Sequence, residues 1–321
     1  MKNVLQAIAK YAAYLLLVAL ISFFLPRMIP GSPLFVLAGE GSGYTDDIPA
    51  AMLEQFEDYY SPNEPIHIQL FRYLRNLAHL DLGISLSYKT SVYDRIAGAV
   101  RWTLQLTIPT IILSTILGLV IGVGMGLAKK KRGALLVPPL LTLQSVPTFL
   151  MAALAQIILA YRLRIFPAIG SVTPGMLPGQ PGYVADMFEH MLLPLIILII
   201  SETPAIAIFA YNSTLRVKNM PYVSFANYLN IKPGKIRLHY IVKNIMPDFL
   251  GRLNIQIIMC IMGSLFVESI FSYPGVGQLL RHAINYRDYP LMQGILLICS
   301  LYGVLVNFVF EILTARQARK S

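Results

Sequence analysis

Three carboxylates stand inside long apolar stretches of this 321-residue chain: Glu202, Glu268 and Glu311. An ionised acid at mid-bilayer costs about 2.5 kcal/mol or more on insertion scales, so each should face protein, water or an interface. Glu202, beside Thr203 and Pro204 in the middle of its stretch, suits a pathway lining where it meets a cationic group. It suits equally an interhelical hydrogen bond made by a neutral acid. Glu268 is near one end of its stretch and suits a structural role, accepting backbone N–H groups or pairing with Arg281 or Arg287. Glu311 can reach Arg316 or the lipid interface. None of the three has a catalyst's company. The chain contains no HExxH, no GxSxG and no paired intramembrane aspartates, which argues against a membrane-embedded hydrolase. His67, His79, His190, His239 and His282 are scattered without metal-ligand spacing. Cys260 and Cys299 are isolated within apolar runs and read as small filler. No catalytic residue and no metal site is expected.

The elements that position these acids are dictated by composition. Hydrophobic residues make up 56% of the chain and charged ones 13%, with mean hydropathy +0.62. Soluble domains carry about 25% charge, so a membrane protein is expected. Six apolar stretches, near 8–26, 103–128, 134–160, 191–212, 249–271 and 291–313, are long enough or nearly so to cross ~30 Å of hydrocarbon as helices. Internal prolines (Pro109, Pro138, Pro139, Pro147, Pro204) are tolerated in such helices because neighbouring groups re-satisfy the freed backbone. The runs are continuous and do not alternate, which excludes a β-barrel. The first stretch follows Lys2 and Lys10 and lacks a small-residue cleavage site beyond it, so it reads as an uncleaved span.

Charge orients the spans. Segments 1–10, 129–133, 213–252 and 314–321 hold 16 of the 26 lysines and arginines, with Asp248 their only acid. The alternate segments 27–102, 161–190 and 272–290 hold 10 basic and 12 acidic residues. The positive-inside rule therefore expects both termini and the 213–252 segment in the cytoplasm. Net charge +10 reads as this topology signal plus attraction to anionic lipid. Its spread over short loops argues against a nucleic-acid footprint.

Between the spans the chain divides into 1–26 (amino terminus and first span), 27–102 (an external helical segment), 103–313 (a five-span core) and 314–321 (a tail). In 27–102 the apolar spacing predicts helices over 46–60 and 66–80, separated by a Ser61–Pro65 break, then a short amphipathic run over 92–100 before Trp102. Segment 161–190, rich in Pro and Gly, predicts an irregular ordered loop. Segment 213–248 predicts two short helices at a bend. The first starts at Pro221 and ends at Asn230, the non-glycine residue best suited to a left-handed helix end. The second starts at Pro233, and Pro247 closes the loop before the fifth span. Such a knob can fit a partner's groove and carry force. Segment 268–294 has a Ser-Tyr-Pro-Gly turn, a short amphipathic helix and an Arg287-Asp288-Tyr289-Pro290 stop, so it should have a fixed shape.

Here the residues carry a resemblance. ESIFSYPGVG at 268–277, RDYP at 287–290 and Gln293-Gly294 resemble the carboxy-terminal pattern of permease subunits of the oligopeptide/dipeptide/nickel family of ABC importers. IPGSP at 29–33, DLGIS at 81–85, SVPTF at 145–149 and RIFPAIG at 164–170 are similar to further parts of that pattern, in the right order. The resemblance covers nearly the whole chain. It implies a first-permease type subunit with the type I importer permease fold. It makes 222–247 the coupling loop that docks on a cytoplasmic ATPase, with Tyr222, Ser224, Phe225, Ala226, Asn230 and Gly234 its candidate residues. Asn230 stands where the family has glycine. Glu268, Pro274, Gly275, Gly277, Arg287 and Asp288 become candidates for an outer gate or its structural frame, and Glu202 the candidate pathway residue.

The chain has no phosphate-cradling GxxxxGK[ST] loop, so an importer would take ATP and Mg through two separate ATP-binding subunits, binding no cofactor itself. The resemblance further implies a second homologous permease, an external substrate-binding protein and a bacterial or archaeal cell membrane. Peptide is the expected substrate. The alternatives are a nickel or nickel-chelate importer and, on the strength of Glu202 alone, a stand-alone ion-coupled carrier.

Overall fold

The computed structural model describes residues 2–28, 64–128 and 130–318, most of them helical. The expected helix over 46–60 and the IPGSP turn lie outside the described residues. Helix α1 is Lys2–Arg27 and α2 is Ile66–Ala78. A two-stranded antiparallel hairpin follows, β1 Ile84–Ser85 with β2 Thr90–Ser91. Then come α3 Val92–Leu127, α4 Lys130–Leu135, α5 Val137–Ser145 and α6 Thr148–Arg162. The long α7 Tyr183–Lys218 leads to α8 Pro221–Tyr228, α9 Pro233–Ile270, α10 Val276–Asn285 and α11 Tyr289–Ala318.

Among the described residues, five helices are long and apolar enough to cross a membrane, and six if a bent pair counts as one span. That pair is the third expected span. It is not one rod: the helix ending at Ser145 and the one starting at Thr148 meet at 85°. The cause is local. A residue before proline is pushed out of the helical region, and Val146, before Pro147, takes an extended ψ of 121°. Two other expectations are corrected in the opposite sense. The amphipathic run at 92–100 is the start of α3 itself, since no breaker separates it from the second span. Pro247 closes no loop, because α9 runs through it from Pro233 to Ile270. A wide π turn over Ile236–Val242 precedes that proline, and Asn244 donates to Tyr240 O.

The chain divides into two compact units, one of Met1–Trp102 and Pro274–Leu305, the other of Thr103–Tyr273 and Val306–Ser321. Within the first, α2 lies on α1 through an apolar cluster of Ala19, Phe23 and Tyr73. The Tyr73 hydroxyl meets Ser22 Oγ at 2.8 Å, and the Arg27 guanidinium lies over the Phe23 ring at 3.7 Å. α11 crosses the start of α3 so closely that a Cβ on Gly294 would come within 2.6 Å of Val92 Cγ1.

Within the second unit, Gly118, Gly122 and Gly126 repeat every fourth residue of α3 and form a seam against α7. A Cβ on Gly122 would fall onto Ala207 O, so the two backbones touch. Buried amides and hydroxyls tie α3 to α9: Gln256 Nε2 donates to Ser114 Oγ at 2.9 Å, and Thr115 Oγ1 donates to Gln256 Oε1. The core continues along α7 into α8 and α9 through Ile206, Ala210, Val223, Ala226, Ile241, Ile245 and Phe249.

Candidate functional site

The elbow between α8 and α9 is built from its sequence as expected. Pro221 is placed at the first turn of α8. Asn230 takes φ 51°, and beside it Ile231 N–H donates to Ala226 O and Asn230 N–H to Asn227 O. These are the two backbone bonds of a Schellman helix end. The elbow is rigid because its inner face is buried: Val223 and Ala226 are 2% exposed and pack with Ile236, Ile241 and Ile245. Its outer face is apolar too. Phe225 is 64% exposed, Tyr228 85% and Leu229 59%, with Tyr222, Ser224 and Gly234 also at the surface. Of the expected contact residues, Ala226 therefore faces the core. Tyr228 and Leu229 take its place on the face, and sequence spacing alone could have found them, since they flank Phe225 at three and four positions.

The 268–294 connection is a second built site. Glu268 is fully buried near the end of α9, and its carbonyl receives the Tyr273 N–H at 2.9 Å. Pro274 and the buried Gly275 lead into α10, where Gly275 O accepts from Leu279 N–H. Arg287, at φ 49°, ends α10 with the same Schellman pair: Asp288 N–H to Ala283 O and Arg287 N–H to Ile284 O. Asp288 is fully buried and does two jobs. Its Oδ1 caps α11 by accepting from Leu291 N–H at 3.2 Å. Its Oδ2 accepts from Ser85 Oγ at 2.5 Å, Ser87 Oγ at 2.7 Å and Ser87 N–H at 3.0 Å. The carboxylate thus pins the β1–β2 hairpin.

Ser85 and Ser87 were not legible as site residues, because nothing in a serine two positions from another announces a partner two hundred residues away. Beside them His282 lies between two rings, Tyr88 at 4.4 Å and Tyr286 at 4.3 Å between centroids. Its Nδ1 is shut from solvent and has no hydrogen-bond partner among the described residues. Burial, reinforced by Arg95, holds the His282 pKa below its ordinary value against the pull of Asp288.

Glu202 is half-buried at the centre of α7. Next to it, Ser201 Oγ meets Thr148 Oγ1 at 2.6 Å, so the break in the third span lies beside this acid. Sequence reading passed over Arg252, which stands on α9, the helix packed against α7. Glu311 is exposed near the end of α11.

Residues 118–321 match the family model described as the binding-protein-dependent transport system inner membrane component. The chain belongs to this family. Among curated members it resembles the glutathione transport system permease protein GsiC of Salmonella paratyphi A, 27% identical over 94% of this chain and 92% of that one. It also resembles the di/tripeptide transport system permease protein DppB of Pseudomonas aeruginosa, 29% identical over 92% and 91%. A solved structure, the inward-facing MetNI methionine ABC transporter, shares the fold with TM-score 0.55 and 15% identity, covering 69% of this chain and 95% of that one. The protein is thus a predominantly helical, multi-pass permease component of a binding-protein-dependent transporter with the type I importer fold.

Proposed function

We propose that this permease imports peptides, forms half of a translocation path with a second homologous permease, and is driven by two cytoplasmic subunits that bind ATP and Mg. An external binding protein delivers the substrate. The observation that carries the coupling half of this reading is the α8–α9 elbow, an exposed apolar face on a fully packed base. An exposed aromatic patch marks an interaction surface, and a base with no slack transmits displacement into α7 and α9. The charge pattern supports placing the elbow and both termini in the cytoplasm. Peptide as substrate is supported by the di/tripeptide and glutathione relatives, glutathione being itself a peptide. No ion-coupled step is needed.

ATP-driven closure of the partner subunits would push the elbow and shift the spans between inward- and outward-open states; only contacts that differ between those states can do this work. The test is Phe225→Glu and Tyr228→Glu in the purified complex. Both variants are expected to insert normally and to lose uptake by at least about tenfold while the ATP-binding subunits detach or hydrolyse ATP without transport. Wild-type uptake of a tripeptide by both variants would refute the docking role.

A further inference from the structure

Resting on the peptide-import reading, we infer that the break in the third span is where this permease touches the passing peptide. The open main-chain carbonyls there accept N–H groups of the substrate's backbone at mid-membrane. Two contacts fix the depth of the break. Thr148 Oγ1, at the start of α6, meets Ser201 Oγ at 2.6 Å, and Ser201 is eighteen positions after Tyr183 and seventeen before Lys218 in α7. On its other side, a Cβ on Gly263 of α9 would lie 3.7 Å from the Thr148 side chain. The break is therefore held between α7 and α9, which pack against each other within the second unit.

Lipid cannot cover such a place. The helices on either side of the break meet at 85°, and Pro147 between them has no N–H to give. Val146 N–H returns to Leu143 O at 3.3 Å, which leaves other carbonyls of the last turn of α5 to be met from outside the helix. Gln144, Ser145 and Pro147 are all exposed. Hydrocarbon offers no donors, so irregular backbone at this depth either lines water or is buried in protein. A permanent protein seam would have to satisfy every one of these groups. A peptide and the water around it satisfy them in passing. The substrate's chemistry fits as well: a peptide unit presents its N–H whatever side chain it carries, so main-chain acceptors hold it without choosing among sequences. Beside the break, Phe149 and Phe266 are 49% and 58% exposed with ring centres 6.2 Å apart, joining α6 to α9 as an apolar wall.

The experiment uses the complete complex in proteoliposomes with its binding protein, and with Cys260 and Cys299 replaced by alanine. Ser145→Cys and, separately, Gln144→Cys are compared with Ile116→Cys, a 53% exposed position near the middle of the second span. A water-soluble cationic thiosulfonate should modify both break cysteines at least about tenfold faster than Ile116→Cys, because hydrocarbon admits neither the reagent nor a thiolate. Modification should abolish tripeptide uptake, and saturating tripeptide with ATP should slow the reaction severalfold. If one break variant does not assemble, the other carries the test. Break cysteines no faster than Ile116→Cys lie under protein or lipid, and that result overturns the inference. Fast modification that neither blocks uptake nor yields to tripeptide overturns it too. Absence of any tripeptide uptake by the wild-type complex sinks the import reading itself, and this inference with it.

Discussion

Asp288 shows how much one carboxylate can hold. It accepts four hydrogen bonds, caps α11 and fixes the hairpin, all without exposure. Asp288→Ala leaves those donors unsatisfied and is expected to cost about 3 kcal/mol, read as a lowered melting temperature of the detergent-solubilised protein. The double variant Ser85→Ala with Ser87→Ala should also lower it, because the buried Asp288 carboxylate loses two donors and the Tyr88 N–H loses its Ser85 Oγ acceptor. His282 gives a second residue-scale test. Its folded pKa is depressed, so the unfolded chain binds the proton that the folded site refuses. Stability should therefore be complete above about pH 6.5, the ordinary histidine value, and fall as pH drops below it. His282→Phe, which keeps the ring stack, should flatten this acid limb in a melting series from pH 7.5 to 5.

Among the described residues, five helices end on a non-glycine residue in the left-handed region, at Leu80, Arg164, Asn230, Ser272 and Arg287. Only Asn230 was legible in the sequence, because asparagine advertises that conformation and the others do not. Tertiary packing overrides their preference. Replacing Leu80, 83% exposed, by glycine should relieve the strain and stabilise by about 1 kcal/mol in the same melting assay. The glycine seam works the other way. Gly122→Ala should destabilise by about 1–3 kcal/mol through contact with Ala207 O, whereas Gly124→Ala, with nothing within 4 Å of its Cβ, should not. Continuous apolar runs, stop residues and prolines made the spans and elbow readable. What they could not give was the outcome at each proline. Pro147 breaks its helix because Val146 yields to an extended conformation, while Pro247 sits inside an unbroken α9. Proline identity is the same in both cases; the packing around it differs.

On the scale of the molecule, orientation is the open prediction. With Cys260 and Cys299 replaced, a single cysteine at Ser224 should react with an impermeant maleimide only from the cytosolic side of membrane vesicles, and one at Gly175 only from the opposite side. Reaction of both from one side would reverse the charge argument. Glu202 was legible as an intramembrane acid, whereas the packing of α7 against α9 beside it was not. The bond from Ser85 to Asp288 joins positions 203 apart, and the first unit is made from two separate stretches, Met1–Trp102 and Pro274–Leu305. A ribosome must therefore add some two hundred residues after the hairpin before the acceptor of its serines exists. Until then those hydroxyls can donate only to water, so the hairpin locks late, after most of the spans have been made.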